Sequence, residues 1–355
     1  MSGQTMTFGK AINRAMHRAM SDDEKVVLMG EDIGVLGGVF RITDGLQEEF
    51  GARRVMDTPL AESGIVGTAI GLAYRGYRPV VEIQFDGFVY PAFDQIVANL
   101  AKMFARTQGA VRLPVTIRIP FGGGIGSPEH HSESPEAYFM HTAGLRVVSP
   151  SSPQEGYDLL RAAIASDDPV VYLEPKRRYH DKGEVDLEAP IRPMAPAAVL
   201  RPGRDVTLVA YGPLVKTALQ AAEVAAEEGL EVEVVDLRSI APLDSGLVES
   251  SVRRTGRLVV AHEAGRTGGG GAELVARVTE RSFHWLEAAP VRVTGWDIPY
   301  PSAKLEEHHL PDLDRILDGI DRAAGRAHSL ESVDVFAAPQ TAEDHLAAQA
   351  AGKGN

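Results

Sequence analysis

The sequence predicts an α/β protein of two domains, each a mainly parallel sheet flanked by helices. Three observations predict it. Short continuous apolar runs, rich in valine and isoleucine, alternate with stretches of helical periodicity, as strands buried on both faces of a parallel sheet do. The alternation stops once, across residues 187–205, where prolines cluster, and then restarts. The 355 residues suffice for two cores.

Residues from about 7 to 20 read as an amphipathic helix. Residues 26–29 form an apolar run that ends in Gly30-Glu31-Asp32-Ile33-Gly34, two acids at the C-terminal end of a strand. Asp57-Thr58-Pro59-Leu60-Ala61-Glu62-Ser63-Gly64 then opens a helix. Pro59 suits an entering chain because its missing N–H costs little there. Ile65, Val66, Ala69, Ile70, Leu72 and Ala73 make that helix apolar nearly all round, which predicts burial. A strand at 79–83 leads into Gln84-Phe85-Asp86-Gly87-Phe88 and a long helix through about Arg106. A strand at 115–119 ends in Gly122-Gly123-Gly124-Ile125-Gly126. A strand at 145–148, a helix at 153–166 and a strand at 169–173 complete a first domain over residues 1–186.

Residues 187–205 read as a linker, since proline can continue neither a helix nor a central strand. The second domain, 206–331, takes strands at 206–210, 231–236, 257–261 and 291–293, and helices at 214–228, 271–284 and 312–323. Residues 332–355, rich in Ala, Gln and Asp, read as a mobile tail or one docked on a neighbour.

Composition narrows the function. The net charge of −13 argues against nucleic acid and anionic membranes, and suits a basic protein partner. Without cysteine there are no disulfides, thiolate nucleophiles or zinc–sulfur sites. No apolar run approaches the ~18 residues of a membrane span. The first residues lack a signal-peptide core, so a cytoplasmic protein is expected.

In parallel sheets ligands sit at the C-terminal ends of strands. Three ends carry unusual residues: Glu31 and Asp32; Gln84 and Phe88; and the glycine loop followed by His130-His131-Ser132-Glu133-Ser134-Pro135-Glu136. The glycine loop has neither the dinucleotide nor the P-loop spacing, and adjacent histidines do not project together as metal ligands. A first-turn glutamate such as Glu62 can simply answer the helix dipole. At the tip of a buried helix, however, a carboxylate is costly unless something bonds to it. Lys176-Arg177-Arg178 reads as a solvated or partner-facing patch. Gly268 to Gly271 reads as a helix-entry turn.

These motifs, with Pro91-Ala92-Phe93-Asp94-Gln95 and His141, occur in order and resemble one family over about residues 5–325. It is the β subunit of the thiamine-diphosphate-dependent decarboxylating component of 2-oxo acid dehydrogenase complexes, and the branched-chain form is the nearest likeness. The resemblance implies a transketolase-like fold, with a pyrimidine-binding domain and a C-terminal domain. It implies that Glu62 bonds the cofactor's pyrimidine N1′, and that Leu60, Gln84 and Phe88 line the pyrimidine pocket with Glu31 beside them. Phe88 stands where many relatives have tyrosine. His131 is implied to face the substrate and the incoming lipoyl group. A potassium site is implied near Leu113, Ala163, Ser166 and Asp168.

The family's Mg²⁺–diphosphate signature, Gly-Asp-Gly, is missing; Thr43-Asp44-Gly45 and Phe85-Asp86-Gly87 each lack the first glycine. The resemblance therefore implies that an α subunit holds Mg²⁺ and the diphosphate, in an α2β2 assembly serving a lipoyl-bearing acyltransferase core. Alternatives are the same chemistry on pyruvate or acetoin, and a non-catalytic subunit that docks the α chain and the core. An NAD-dependent oxidoreductase ranks below these, because no dinucleotide fingerprint follows any strand.

Overall fold

The computed structural model describes residues 3–194 and 196–326. The tail expected at 332–355 lies outside the described residues. The first half runs β1 (Gln4–Thr7), α1 (Phe8–Asp22), β2 (Val26–Gly30), α2 (Leu46–Phe50), β3 (Val55–Asp57), α3 (Glu62–Tyr74), β4 (Arg78–Glu82), α4 (Met103–Arg106), β5 (Thr116–Phe121), α5 (Glu136–Met140), β6 (Arg146–Val148), α6 (Pro153–Ala165), β7 (Val170–Pro175) and β8 (Lys182–Val185). The second half runs β9 (Ala198–Arg201), β10 (Val206–Ala210), α7 (Val215–Glu227), β11 (Val232–Asp236), β12 (Ser239–Ala241), α8 (Ser245–Thr255), β13 (Leu258–Gly265), α9 (Gly270–Ser282), β14 (Val291–Gly295), α10 (Glu306–His309) and α11 (Leu313–Ala323).

The larger sheet has the order β12-β6-β7-β5-β4-β2-β3 and is parallel except at β12. The smaller has the order β14-β13-β10-β11-β9 and is parallel except at β9. Strands β2, β5 and β7 are buried along their whole length, which is why they read as mainly apolar runs, interrupted by Thr116 and Arg118 in β5 and Glu174 in β7. Helix α1 starts where the Thr7 hydroxyl accepts from Lys10 N–H, a cap of about 1 kcal/mol. Its Phe8, Ile12 and Met16 join Tyr157, Leu160 and Ile164 of α6 in one core. Among the described residues no helix is long and apolar enough to cross a membrane.

The structure departs from expectation in four places. The helix expected through Arg106 is a series of 3-10 and π turns that becomes α-helical only at α4. Pro91 sits inside the first of these, where it withholds an N–H. Helix α3 buries one side only: Glu62, Ile65, Val66, Ala69 and Ala73 are inside, while Ser63, Gly64, Thr68 and Gly71 are exposed. Its small residues made both sides look apolar. Within the expected linker, residues 198–201 form β9, an antiparallel edge strand. Finally, β12 leaves the second half of the chain to pair with β6 of the larger sheet, so the two halves share that sheet.

Candidate active site

Strand β2 ends at Gly30, packed so closely that a β-carbon would lie 3.0 Å from the Glu82 carbonyl oxygen. That close packing puts Glu31 at the C-terminal edge of the sheet. The loop after β3 lies against it. Thr58 N–H donates to the Gly30 carbonyl at 2.9 Å, and Gly34 N–H to Asp57 Oδ1 at 2.6 Å. Ala61 N–H then donates to the Glu31 carboxylate, and Glu62 begins α3, itself buried. Burial first, and the neighbouring Glu62 and Asp32 charges next, push the Glu31 carboxyl up. One Glu31 oxygen, Oε1, is buried with no hydrogen-bond partner. Two acids thus share a pocket that is short of a donor.

Beyond the end of β4 stands an aromatic wall. Phe85 lies 4.0 Å from His131, centroid to centroid, and Phe88 lies 5.1 Å from the same imidazole, edge-on. Gln84 reaches Asp32 Oδ2 at 3.4 Å, so the strand ends of β2 and β4 meet here. Burial, His130 and Lys176 all hold His131 below its ordinary value, which keeps the imidazole neutral. Its Nδ1 is buried without a partner. Leu60, implied as a pocket residue, is 80% exposed in the loop before α3.

Behind the wall are charges the sequence reading missed. Asp86 and Lys176 form a buried ion pair, and Asp86 Oδ2 also accepts Glu133 N–H at 2.7 Å. Burial pushes the Asp86 carboxyl up to about 6 against the pull of Lys176. Arg118 of β5 bonds Glu82 of β4 at 2.6 Å and Glu174 of β7 through two nitrogens, and Tyr179 donates to Glu174 at 2.6 Å. An arginine inside the apolar run 115–119 was the available signal, since a buried cation needs a partner.

Lys176-Arg177-Arg178 is a correction. It is not a solvated patch: Lys176 is buried, Arg177 pairs with Glu263 of β13, and Arg178 bonds the Pro213 carbonyl. The triplet joins the two halves of the chain. Gly269 and Gly271, beyond serving as a helix entry, let α9 pack against His262, which a β-carbon at either position would strike.

The region implied for potassium is already bonded. Leu113 O accepts Val115 N–H, Ala163 O accepts Ser166 N–H, and Asp168 Oδ2 accepts from Arg146. Ser166 O accepts from Arg78 at 3.0 Å. A potassium ion there would share these oxygens and sit against the Arg78 guanidinium. Among the described residues no group of three or more His, Asp or Glu is placed to hold a metal.

Residues 4–182 match the transketolase pyrimidine-binding domain, and residues 195–316 the transketolase C-terminal domain. The chain is 59% identical to a pyruvate dehydrogenase E1 component subunit beta of Leifsonia xyli, covering 90% of this chain and 95% of that one. It is 57% identical to a 3-methyl-2-oxobutanoate dehydrogenase subunit beta of Mycobacterium tuberculosis (90% and 92%). It is 46% identical to a 2-oxoisovalerate dehydrogenase subunit beta of Pseudomonas aeruginosa (84% and 90%). A split-gene transketolase, solved as an inactive beta4 tetramer, shares the fold at a TM-score of 0.74 and 23% identity, over 91% of this chain and 99% of that one. Two transketolase-type domains in this order, joined to relatives that span nearly the whole chain, place it in one family: it belongs to the E1 β subunits of 2-oxo acid dehydrogenases.

Proposed function

We propose that the chain is the β half of a thiamine-diphosphate-dependent E1 that decarboxylates branched-chain 2-oxo acids and transfers the acyl group to a lipoyl carrier. The observation that carries this is the buried Glu31–Glu62 pair with its unpartnered oxygen, at the sheet edge where Gln84, at the head of the segment that carries Phe85 and Phe88, bonds Asp32. Such a pocket fits an aminopyrimidine, which brings N–H donors and a flat ring. When bound, thiamine diphosphate supplies the nucleophilic carbon and the electron sink. Glu62 would hold a proton at the pyrimidine N1′, and Glu31 Oε1 would take a donor the chain lacks. Leu60, Gln84 and Phe88 would wall the ring. His131, neutral and apolar-lined, would face substrate and the lipoyl arm.

The other half of the site is proposed to come from an α subunit, which would hold Mg²⁺ and the diphosphate. Val35 and Leu60, in the two loops that carry Glu31 and Glu62, are 89% and 80% exposed. Apolar side chains on the rim of a polar site suit a protein partner. Closed symmetry favours an α2β2 assembly with two sites. The acidic surface suits a basic carrier domain of the acyltransferase core.

Pyruvate is the second reading, because a relative at 59% identity carries that name. Co-expression with the α chain, followed by kcat/KM across 3-methyl-2-oxobutanoate, pyruvate and acetoin, tests the choice. A preference for the branched acid is expected; a preference for pyruvate contradicts it.

A further inference from the structure

The glycine loop after β5 is an anion cradle whose anion comes from the chain itself. Gly122, Gly124 and Gly126 all have positive φ, at 82°, 86° and 71°. Backbone in that conformation turns its N–H groups inward to a negative group. Two carboxylates from the second half of the chain fill the cradle. Glu263 Oε2 accepts Gly123 N–H at 3.1 Å. Glu306 accepts twice, from Gly124 N–H at 3.1 Å and from Gly126 N–H at 2.9 Å. Tyr300 donates to Glu306 at 2.9 Å, and a β-carbon on Gly123 would collide with the Tyr300 hydroxyl. Both glutamates are buried.

This loop leads directly to His131. Gly122 N–H donates to the Glu133 carbonyl at 2.9 Å, closing the neck of a loop whose tip carries His130 and His131. At the tip, Ser132 Oγ donates to Ser127 O and His131 N–H to Pro128 O. The far side of the neck is tied to Asp86 through Glu133 N–H. The loop is thus pinned from the segment after β4 on one side and from the second domain on the other.

We propose that Glu306, with Glu263 beside it, is a positioning residue for His131, so that the second domain sets the imidazole's place in acyl transfer. The inference rests on the reading of His131 given above. It concerns the His131 loop, to whose glycine stem both glutamates bond.

The test is a double-mutant cycle on the enzyme reconstituted with its α subunit: wild type, Glu306→Gln, His131→Ala and the double variant. Gln keeps the volume but turns one acceptor into a donor facing an N–H. Two rates are read: acyl transfer to a lipoyl domain, and decarboxylation with an artificial oxidant. Misplacing a reacting group by about 1 Å costs up to about 10²-fold, so Glu306→Gln is expected to slow acyl transfer by about tenfold or more. It should spare decarboxylation and add nothing once His131 is alanine. No loss, or an equal loss on the His131→Ala background, overturns the proposal. If Glu306→Gln fails to assemble, Tyr300→Phe carries the same cycle, with a smaller non-additive loss expected and the same overturning results. If His131→Ala leaves both rates unchanged, the reading of His131 falls instead, which is a distinct outcome.

Discussion

The Phe85 ring centroid lies 4.0 Å from that of the His131 imidazole, inclined at 49°, so that one side of the histidine packs against carbon. With Phe88 on another side and Lys176 nearby, the neutral form is favoured. His131→Ala is predicted to impair overall complex activity more than decarboxylation with an artificial oxidant. The acid limb of the acyl-transfer rate should fall below the ordinary histidine value of about 6.5. Replacing the buried pair, Asp86→Asn with Lys176→Gln, removes a positive neighbour and should move that limb upward. Equal losses in both assays, or a limb that stays in place, would contradict this.

Glu62→Gln keeps the shape of the pocket but not its acid. Turnover of the reconstituted enzyme should fall by about 10²–10⁴-fold, the range for a lost acid–base group. Steady-state assays on a normally assembled variant check it, and wild-type turnover would end the assignment.

Glu136 offers a stability test outside the proposed pocket. It is fully buried, accepts from Tyr211 at 2.7 Å, and leaves Oε2 without a partner. Burial pushes its carboxyl up to about 7 from an ordinary 4.5. The folded state therefore holds this proton more tightly than the unfolded chain does. Glu136 favours folding below pH 4.5, and that advantage is lost as pH rises through about 7. Glu136→Gln keeps the acceptor and cannot ionise, so it should gain on wild type as pH rises, by about 3 kcal/mol above pH 7. Thermal unfolding at pH 5 and pH 8 reads the difference; an advantage that shrinks with pH would refute it.

Arg118 pairs with two buried carboxylates, Glu82 and Glu174. Arg118→Met should destabilise by about 3–5 kcal/mol, because it strands charges with no water to answer them. A denaturant midpoint close to wild type would show that the network is not holding β4, β5 and β7 together.

What the sequence revealed and what it hid follow one physical division. Strands such as β2, β5 and β10 were legible because burial on both faces demands a mainly apolar run. Glu31, Glu62, Gln84 and His131 were singled out because strand ends and a helix entry mark where chemistry can sit. Long-range pairing was not legible. Nothing local says that Lys176 meets Asp86, that Glu306 fills the cradle after β5, or that β12 crosses to the other sheet. The exposed side of α3 was misread because its Ser63, Gly64, Thr68 and Gly71 are small and were outweighed by the apolar residues of the buried side.

The central claim is that this chain carries half of a thiamine site. It is tested most directly by calorimetric titration of the purified chain with thiamine diphosphate and Mg²⁺, run beside a decarboxylation assay with and without the α subunit. Weak binding and no turnover are expected for the chain alone, and both tight binding and turnover once the α subunit is added. Micromolar binding with turnover by the chain alone would contradict it.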